Sequence, residues 1–240
     1  MRFLEHVQAE SARLVEVART GLDAAVPSCP GWTVDDVVRH VAQVYVHKVE
    51  VLKRGALPDP WPPDFSDLET LQWYDDARTA LIAALEAAGT ETQTWTFNPR
   101  DSTSAFWFRR MAHESLVHRI DVEQAHEVIT PIDPDLALDG IDEVLYPNVG
   151  GPWWEEGDTE FPIDATVRIT AAGRSWTIRA DATAVDVQQG AEGEAAAEIF
   201  GDPAPIYLWL WGRSGEDAIQ TVGDPTVVRA FRGRISEATQ

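Results

Sequence analysis

Four stretches in the first half of this 240-residue chain repeat their apolar residues at the helical period, and proline or glycine separates them. Residues 3–20 place Leu4, Val7, Leu14 and Val15 on one face. After V-P-S-C-P-G-W, Thr33 is a good N-cap, and Asp35 and Asp36 fall where a helix dipole favours negative charge. That helix is expected to reach about Arg54, with Gly55 ending it. Residues 55–66, G-A-L-P-D-P-W-P-P-D-F-S, carry too much proline for a helix and read as an extended surface loop. A third helix over about 67–88 turns Leu68, Leu71, Leu81 and Leu85 inward. A fourth, over about 102–127, ends before Pro131, and a short one is expected near 134–146. Amphipathic helices bury their apolar faces against one another, so this half reads as a helical bundle.

After Gly150-Gly151-Pro152 the pattern changes. Residues 164–171 and 174–180 alternate at the strand period around Ala172-Gly173 and read as a hairpin. Short strands are expected at 184–187, 197–200 and 218–222, with helices at about 203–212 and 225–232. The fold class is therefore α+β in two domains. An up-and-down four-helix bundle takes residues 1–150 and a smaller C-terminal α+β domain takes 151–240. The boundary is placed in 148–160, where glycine, proline and acidic residues cluster.

Charge and composition exclude several roles. The net charge of −21 repels nucleic acid and anionic membranes, so neither is expected as a partner. Any anion site must then be built locally, from an arginine or a metal. An apolar fraction of 44% excludes a disordered chain, and no apolar run is long enough to span a membrane. The N-terminus M-R-F-L-E-H-V-Q-A-E has no apolar signal core, and the one cysteine, Cys29, cannot form an internal disulfide. Both point to a cytoplasmic protein, expected as a monomer or weak homodimer. Ten tryptophans supply large core residues, some of them suited to line a cavity.

The chemistry concentrates in R-R-M-A-H-E-S-L-V-H-R-I-D-V-E, residues 109–123. His113 and Glu114 imitate the start of a zinc-protease motif, but the next histidine is His118. On a straight helix His113 and His118 point about 140° apart, so they cannot share an ion. Glu114 and His118 lie one turn apart on one face and can chelate one. They belong to the stripe Trp107, Met111, Glu114, His118, Asp121, Ala125. A buried carboxylate there needs a partner, which a metal or a metal-free Glu–His hydrogen bond would supply. On the second helix the inward stripe Val37, His40, Val41, Val44, His47, Val51 offers His40 as a third ligand and His47 in reserve. A histidine on such a face is also an ordinary core residue. Two histidines and a carboxylate leave coordination positions open, as catalytic metal sites do. Asp121 either orients an imidazole or pairs with Arg119. Cys29 reads as structural, because nothing in its surroundings activates a thiol.

C-P-G-W-T-V-D-D-V-V-R-H-V at 29–41 and F-W-F-R-R-M-A-H-E-S-L-V-H-R-I-D-V-E at 106–123 resemble the mycothiol-dependent maleylpyruvate isomerase family. This is a group of actinobacterial, DinB-like metal-binding four-helix bundles. L-W-L-W-G-R at 208–213 and V-G-D-P at 222–225 resemble that family's smaller C-terminal domain. The resemblance implies Zn2+ (or another divalent metal) on His40, Glu114 and His118, with mycothiol as a thiol cosubstrate. It implies cis–trans isomerisation: the thiolate adds to the cis double bond of maleylpyruvate, the single bond rotates, and the thiol leaves. It also implies an essential C-terminal arginine holding a substrate carboxylate. Arg213 is the best match, with Arg229, Arg232 and Arg234 as alternatives, and a surface arginine at a helix end fits Arg213 equally. An S-transferase acting on electrophiles would share the metal and thiol sites. A non-catalytic metal- or ligand-binding protein would instead close the coordination sphere with a fourth protein ligand.

Overall fold

The computed structural model describes residues 2–151 and 159–239, and two compact units divide the chain, Met1–Thr130 and Pro131–Gln240. The first unit holds α1 (Phe3–Ala18), α2 (Val34–Arg54), α3 (Thr70–Ala88) and α4 (Ser104–Ala125). The start of α2 is fixed by a capping box: the Thr33 hydroxyl accepts from the Asp36 backbone, and the Asp36 carboxylate accepts from Thr33. Such a cap contributes about 1 kcal/mol. Its end is fixed by Gly55 at φ +67°, as the sequence implies. Among the described residues, no helix is long and apolar enough to cross a membrane.

The four-helix bundle has one turn of topology that periodicity does not encode. Arg39 bonds Thr70 and Tyr45 packs on Tyr74, so α2 and α3 run in the same direction. His40 lies level with His118, while Lys48 lies level with Trp107, so α2 and α4 run in opposite directions. Glu10 meets Arg119 and Arg13 meets Glu123, which makes α1 and α4 parallel. The helices therefore run up, down, down, up, and the 55–69 segment is the long crossover that returns the chain to the same end of the bundle. This segment is packed, not free. Arg39 donates to the carbonyls of Phe65 and Leu68, and Trp61 meets the His47 ring edge-on at 4.8 Å.

Helix α4 is the bundle's centre. From Met111 to Glu123 every residue is buried, so its sequence lacks a polar face. The charged groups on it survive burial by pairing. Arg119, 1% exposed, donates to Glu10 and Glu123, and Glu123 also takes Arg13 and Thr130.

The second unit starts earlier than the expected 150/151 boundary. It contains α5 (Pro134–Glu143), a π-helical turn Val144–Val149, then β1 (Ala165–Ala171), β2 (Arg174–Ala180), β3 (Val185–Gln189) and β4 (Ala197–Gly201). α6 (Pro203–Leu210), β5 (Gln220–Gly223) and α7 (Pro225–Thr239) complete it. Asp142 on α5 explains the earlier start. It accepts from both Trp176 and Arg174 on β2, at 2.6 Å each, and α5 packs on α6. The helix expected over 134–146 is α-helical only to Glu143. Pro147 has no N–H to give to the Glu143 carbonyl, the turn widens, and the Asn148 amide donates to that carbonyl instead. The sheet order is β3-β2-β1-β4-β5, with β1 parallel to β4 and every other pair antiparallel. Val167, Ile169, Trp176, Ile178 and Ile199 are fully buried in it. Residues 152–158, inside the segment expected to mark the boundary, lie outside the described residues.

Candidate metal centre

His40, Glu114 and His118 come together in the first unit, each offering one ligand atom within 4.8 Å of the others. Glu114 Oε1 lies 3.4 Å from His40 Nε2 and 3.3 Å from His118 Nε2. Ligands about 2.1 Å from a tetrahedral ion stand about 3.4 Å apart, so these separations suit one zinc-sized ion. Among the described residues no fourth His, Cys, Asp or Glu donor joins the group. The two imidazoles face each other edge-on, ring centres 4.9 Å apart.

The protonation states follow from what surrounds each group. Burial would raise the Glu114 carboxyl, but the Arg110 guanidinium bonded to Oε2, with His118 and His40, holds it well below the usual carboxylate range. Burial would lower His118, yet Asp121 and Glu114 outweigh it and raise the imidazolium to about 9. His118 Nδ1 donates to Asp121 Oδ2 at 2.9 Å, which leaves Nε2 facing Glu114. Asp121 thus orients the imidazole, and Arg119 pairs elsewhere, with Glu10 and Glu123.

Asp121 is itself held by the turn before α2. Ser28 Oγ donates to Asp121 Oδ1 at 2.5 Å, and Cys29 Sγ sits 3.8 Å from Oδ2. A thiol donating to a carboxylate is not activated toward thiolate, in keeping with a structural Cys29. The turn is closed by Trp32 N–H to Cys29 and Val26 N–H to Trp32, with Gly31 at φ +86°. It sets Trp32 beside His40, ring centres 5.4 Å apart. The V-P-S-C-P-G-W sequence is thereby explained: it carries α2 to the site and buttresses the far side of the His118 ring.

His40 is the open member. Its side chain is 39% exposed, against 8% for Glu114, and it lines a cavity of about 470 Å³ with Trp32, Arg39, Gln43, Phe65 and Trp73. Arg39 is fixed to the crossover and to Thr70, which stiffens that wall. His113, fully buried, turns away toward Phe3, as the helical angle requires. His47 stays outside the group. Burial and then Lys48 lower it to about 4, so it is neutral, and Nδ1 accepts from Lys48 Nζ at 2.9 Å. Ser28 reaches the site only through a turn, whereas Arg110 stands one turn before Glu114 on the same helix, where helical spacing alone could have found it.

In the second unit, Arg213 follows α6 and donates to the Trp211 carbonyl at 2.6 Å. Arg232 lies over Trp209 and against Gly212, Arg234 is fully buried and donates to Asp181, and Arg229 is exposed.

A four-helix bundle with two histidines and a carboxylate at its centre, joined to an α+β unit, defines a class of candidate metal-site protein. Residues 4–123 match the family model for the mycothiol maleylpyruvate isomerase N-terminal domain, and the chain belongs to that family. The crystal structure of the mycothiol-dependent maleylpyruvate isomerase is similar over 91% of both chains, with 13% identity and a TM-score of 0.62. The structure of a histidine-to-alanine mutant of the mycothiol-dependent maleylpyruvate isomerase gives 12% identity and 0.60 over the same shares. At such identities the likeness is one of fold. No curated protein sequence matches the chain.

Proposed function

We propose that the chain holds one divalent ion, zinc by preference, on His40, Glu114 and His118 and is an enzyme using mycothiol as thiol cosubstrate. Its reaction would be isomerisation of the maleylpyruvate type or a thiol transfer. The observation that carries this reading is the convergence of three donors within 4.8 Å of one another, with Glu114 about a tetrahedral edge from each imidazole, beside a cavity. The family and the likeness of fold support it. A zinc ion there would supply Lewis acidity able to lower the pKa of a bound thiol toward neutrality.

The chain's own residues prepare for that ion. Arg110 keeps Glu114 ionised, so the carboxylate needs no deprotonation to bind. Asp121 accepts a hydrogen bond from His118 Nδ1 and keeps Nε2 toward Glu114, where the imidazole would bind an ion in its Nε2-deprotonated form. His40, packed on Trp32, lies where the cavity meets the cluster, and that cavity is within the size range of small-molecule sites. Arg213 is proposed to hold a substrate carboxylate by a charge-assisted hydrogen bond. The absence of a fourth donor among the described residues favours an enzyme over a closed metal-storage site.

The test is a panel of thiols and electrophiles, maleylpyruvate included, with zinc-loaded and chelator-treated protein. Turnover is expected only with a mycothiol-type thiol and only with metal. No metal-dependent rate across the panel would leave the non-catalytic binding protein as the better account.

A further inference from the structure

His40 reaches Glu114 and His118 only if α2 stands in one register on α4. A slip of one residue would move it about 1.5 Å along and about 100° around the helix, whereas metal–ligand distances tolerate about 0.2 Å. Val37 and Val41, fully buried on α2, give contacts that are not directional and fix no register.

Two hydroxyl bonds bracket the cluster. On α4, Ser115, His118 and Asp121 follow one another at steps of three residues. Asp121 accepts from Ser28 in the turn before α2. At the other end Tyr45, on α2, meets Ser115 with 2.6 Å between the oxygens. Both side chains are fully buried. Ser115 Oγ donates to the Met111 carbonyl at 2.6 Å, so the Tyr45 hydroxyl is the donor to Ser115. Burial pushes that hydroxyl up to about 12, which keeps its proton in place. The Tyr45 ring also packs on Tyr74 of α3, ring centres 5.8 Å apart, and the Tyr74 hydroxyl donates to the Ser11 carbonyl on α1 at 3.0 Å. One tyrosine–serine layer thus runs through all four helices, and its α4 member directly follows Glu114.

The stability of the bundle does not depend on such a pair. Replacing two bonded, buried hydroxyls together by apolar groups of the same shape is close to neutral, because no polar group is left stranded. What the pair adds is direction, since the bond forms at one offset of α2 on α4 and is lost at any other. We propose that Tyr45 and Ser115 are positioning residues for the metal site, setting the register in which α2 brings His40 to Glu114 and His118. This rests on the metal-site reading and deepens it. His40 is the ligand that depends on the pair, because Glu114 and His118 are placed together by α4 alone.

The test compares wild type with Tyr45→Phe/Ser115→Ala, with His40→Ala, and with the three changes combined. Zinc affinity is read by competition with a chromophoric chelator, and stability by urea unfolding of the zinc-free proteins. The paired variant should unfold close to the wild-type midpoint yet bind zinc about fivefold more weakly, the worth of one buried hydrogen bond. In the His40→Ala background the same pair of changes should leave the residual affinity unmoved, because it acts through His40. Wild-type affinity in the paired variant, or equal weakening in the His40→Ala background, would overturn the proposal. Tyr45→Phe alone, which leaves Ser115 bonded to Met111, carries the same test if the paired variant does not fold. A readout without metal is the proton cross-peak between the His40 and His118 rings, whose centres stand 4.9 Å apart. It should weaken in the zinc-free variant, and an unchanged cross-peak would also count against the pair. A wild type that takes up no zinc while this cross-peak still depends on Tyr45 would sink the metal reading and leave the register role standing.

Discussion

Replacing Asp121 by asparagine tests how the site is tuned. Asp121 is fully buried, bonded to His118 Nδ1 and to the Ser28 hydroxyl. With Glu114 it raises His118 from 6.5 to about 9. At about 1.4 kcal/mol per pKa unit, the rise stabilises the protonated ring by roughly 3 kcal/mol, and Asp121 supplies on the order of half. Two effects follow, with opposite signs. Without Asp121 the ring is less well aimed and less basic, which lowers zinc affinity about 10–100-fold. The same loss weakens the proton that zinc must displace below the folded value of about 9, which favours the variant there. The ratio of wild-type to Asp121→Asn affinity should therefore be largest above pH 9 and shrink as pH falls toward 7. Competition with a chromophoric chelator across that range measures it. Equal affinities above pH 9 would refute the orienting role of Asp121. In the metal-free protein the sign of the stability change is also fixed. A raised histidine contributes its stabilisation fully below pH 6.5 and loses it as pH rises through about 9, so wild type should lose more stability over that window than the variant.

Arg119→Ala removes the ion-pair partner of partly buried Glu10 and one of several partners of buried Glu123, and should cost about 3 kcal/mol in urea unfolding; a loss under 1 kcal/mol would contradict the network. Glu123 is held low against burial by Thr130, Arg119 and Arg13, so its contribution is present above the unfolded carboxyl value and fades as pH falls through the folded one; an acid titration of the melting temperature reads this. His113→Ala should destabilise by about 1–3 kcal/mol yet keep the full metal content, and metal loss would return His113 to the ligand set. Gly212→Ala meets a left-handed backbone at φ +72° and the Arg232 guanidinium, and should cost about 1 kcal/mol in thermal melting; a neutral result would argue against that packing.

The helices were legible because burial imposes a period: the third and fourth stretches begin within about three residues of their expected starts. The pairing of Glu114 with His118 was legible for the same reason, since it depends only on position within one helix. His40 could be named as an inward-facing histidine, but its distance from Glu114 depends on how α2 meets α4. Ser28 was hidden because a turn brings it to Asp121, whereas Arg110 was within reach of the same spacing argument as His118, one turn from Glu114 on one helix. The common direction of α2 and α3 was hidden too, because a proline-rich segment that crosses the bundle reads like one that merely turns. The change of period falls after Gly150, whereas the compact units meet between Thr130 and Pro131. Asp142, whose bonds to Trp176 and Arg174 tie α5 to the sheet, sits on a helix and gives no such signal.

The central claim is that one ion is held by His40, Glu114 and His118 together. Elemental analysis of the purified chain beside folded His40→Ala measures it directly. About one zinc equivalent per chain is expected for wild type, falling to a small fraction in the variant. Full metal retention by His40→Ala, or a wild-type protein that takes up no divalent ion at all, would contradict the account.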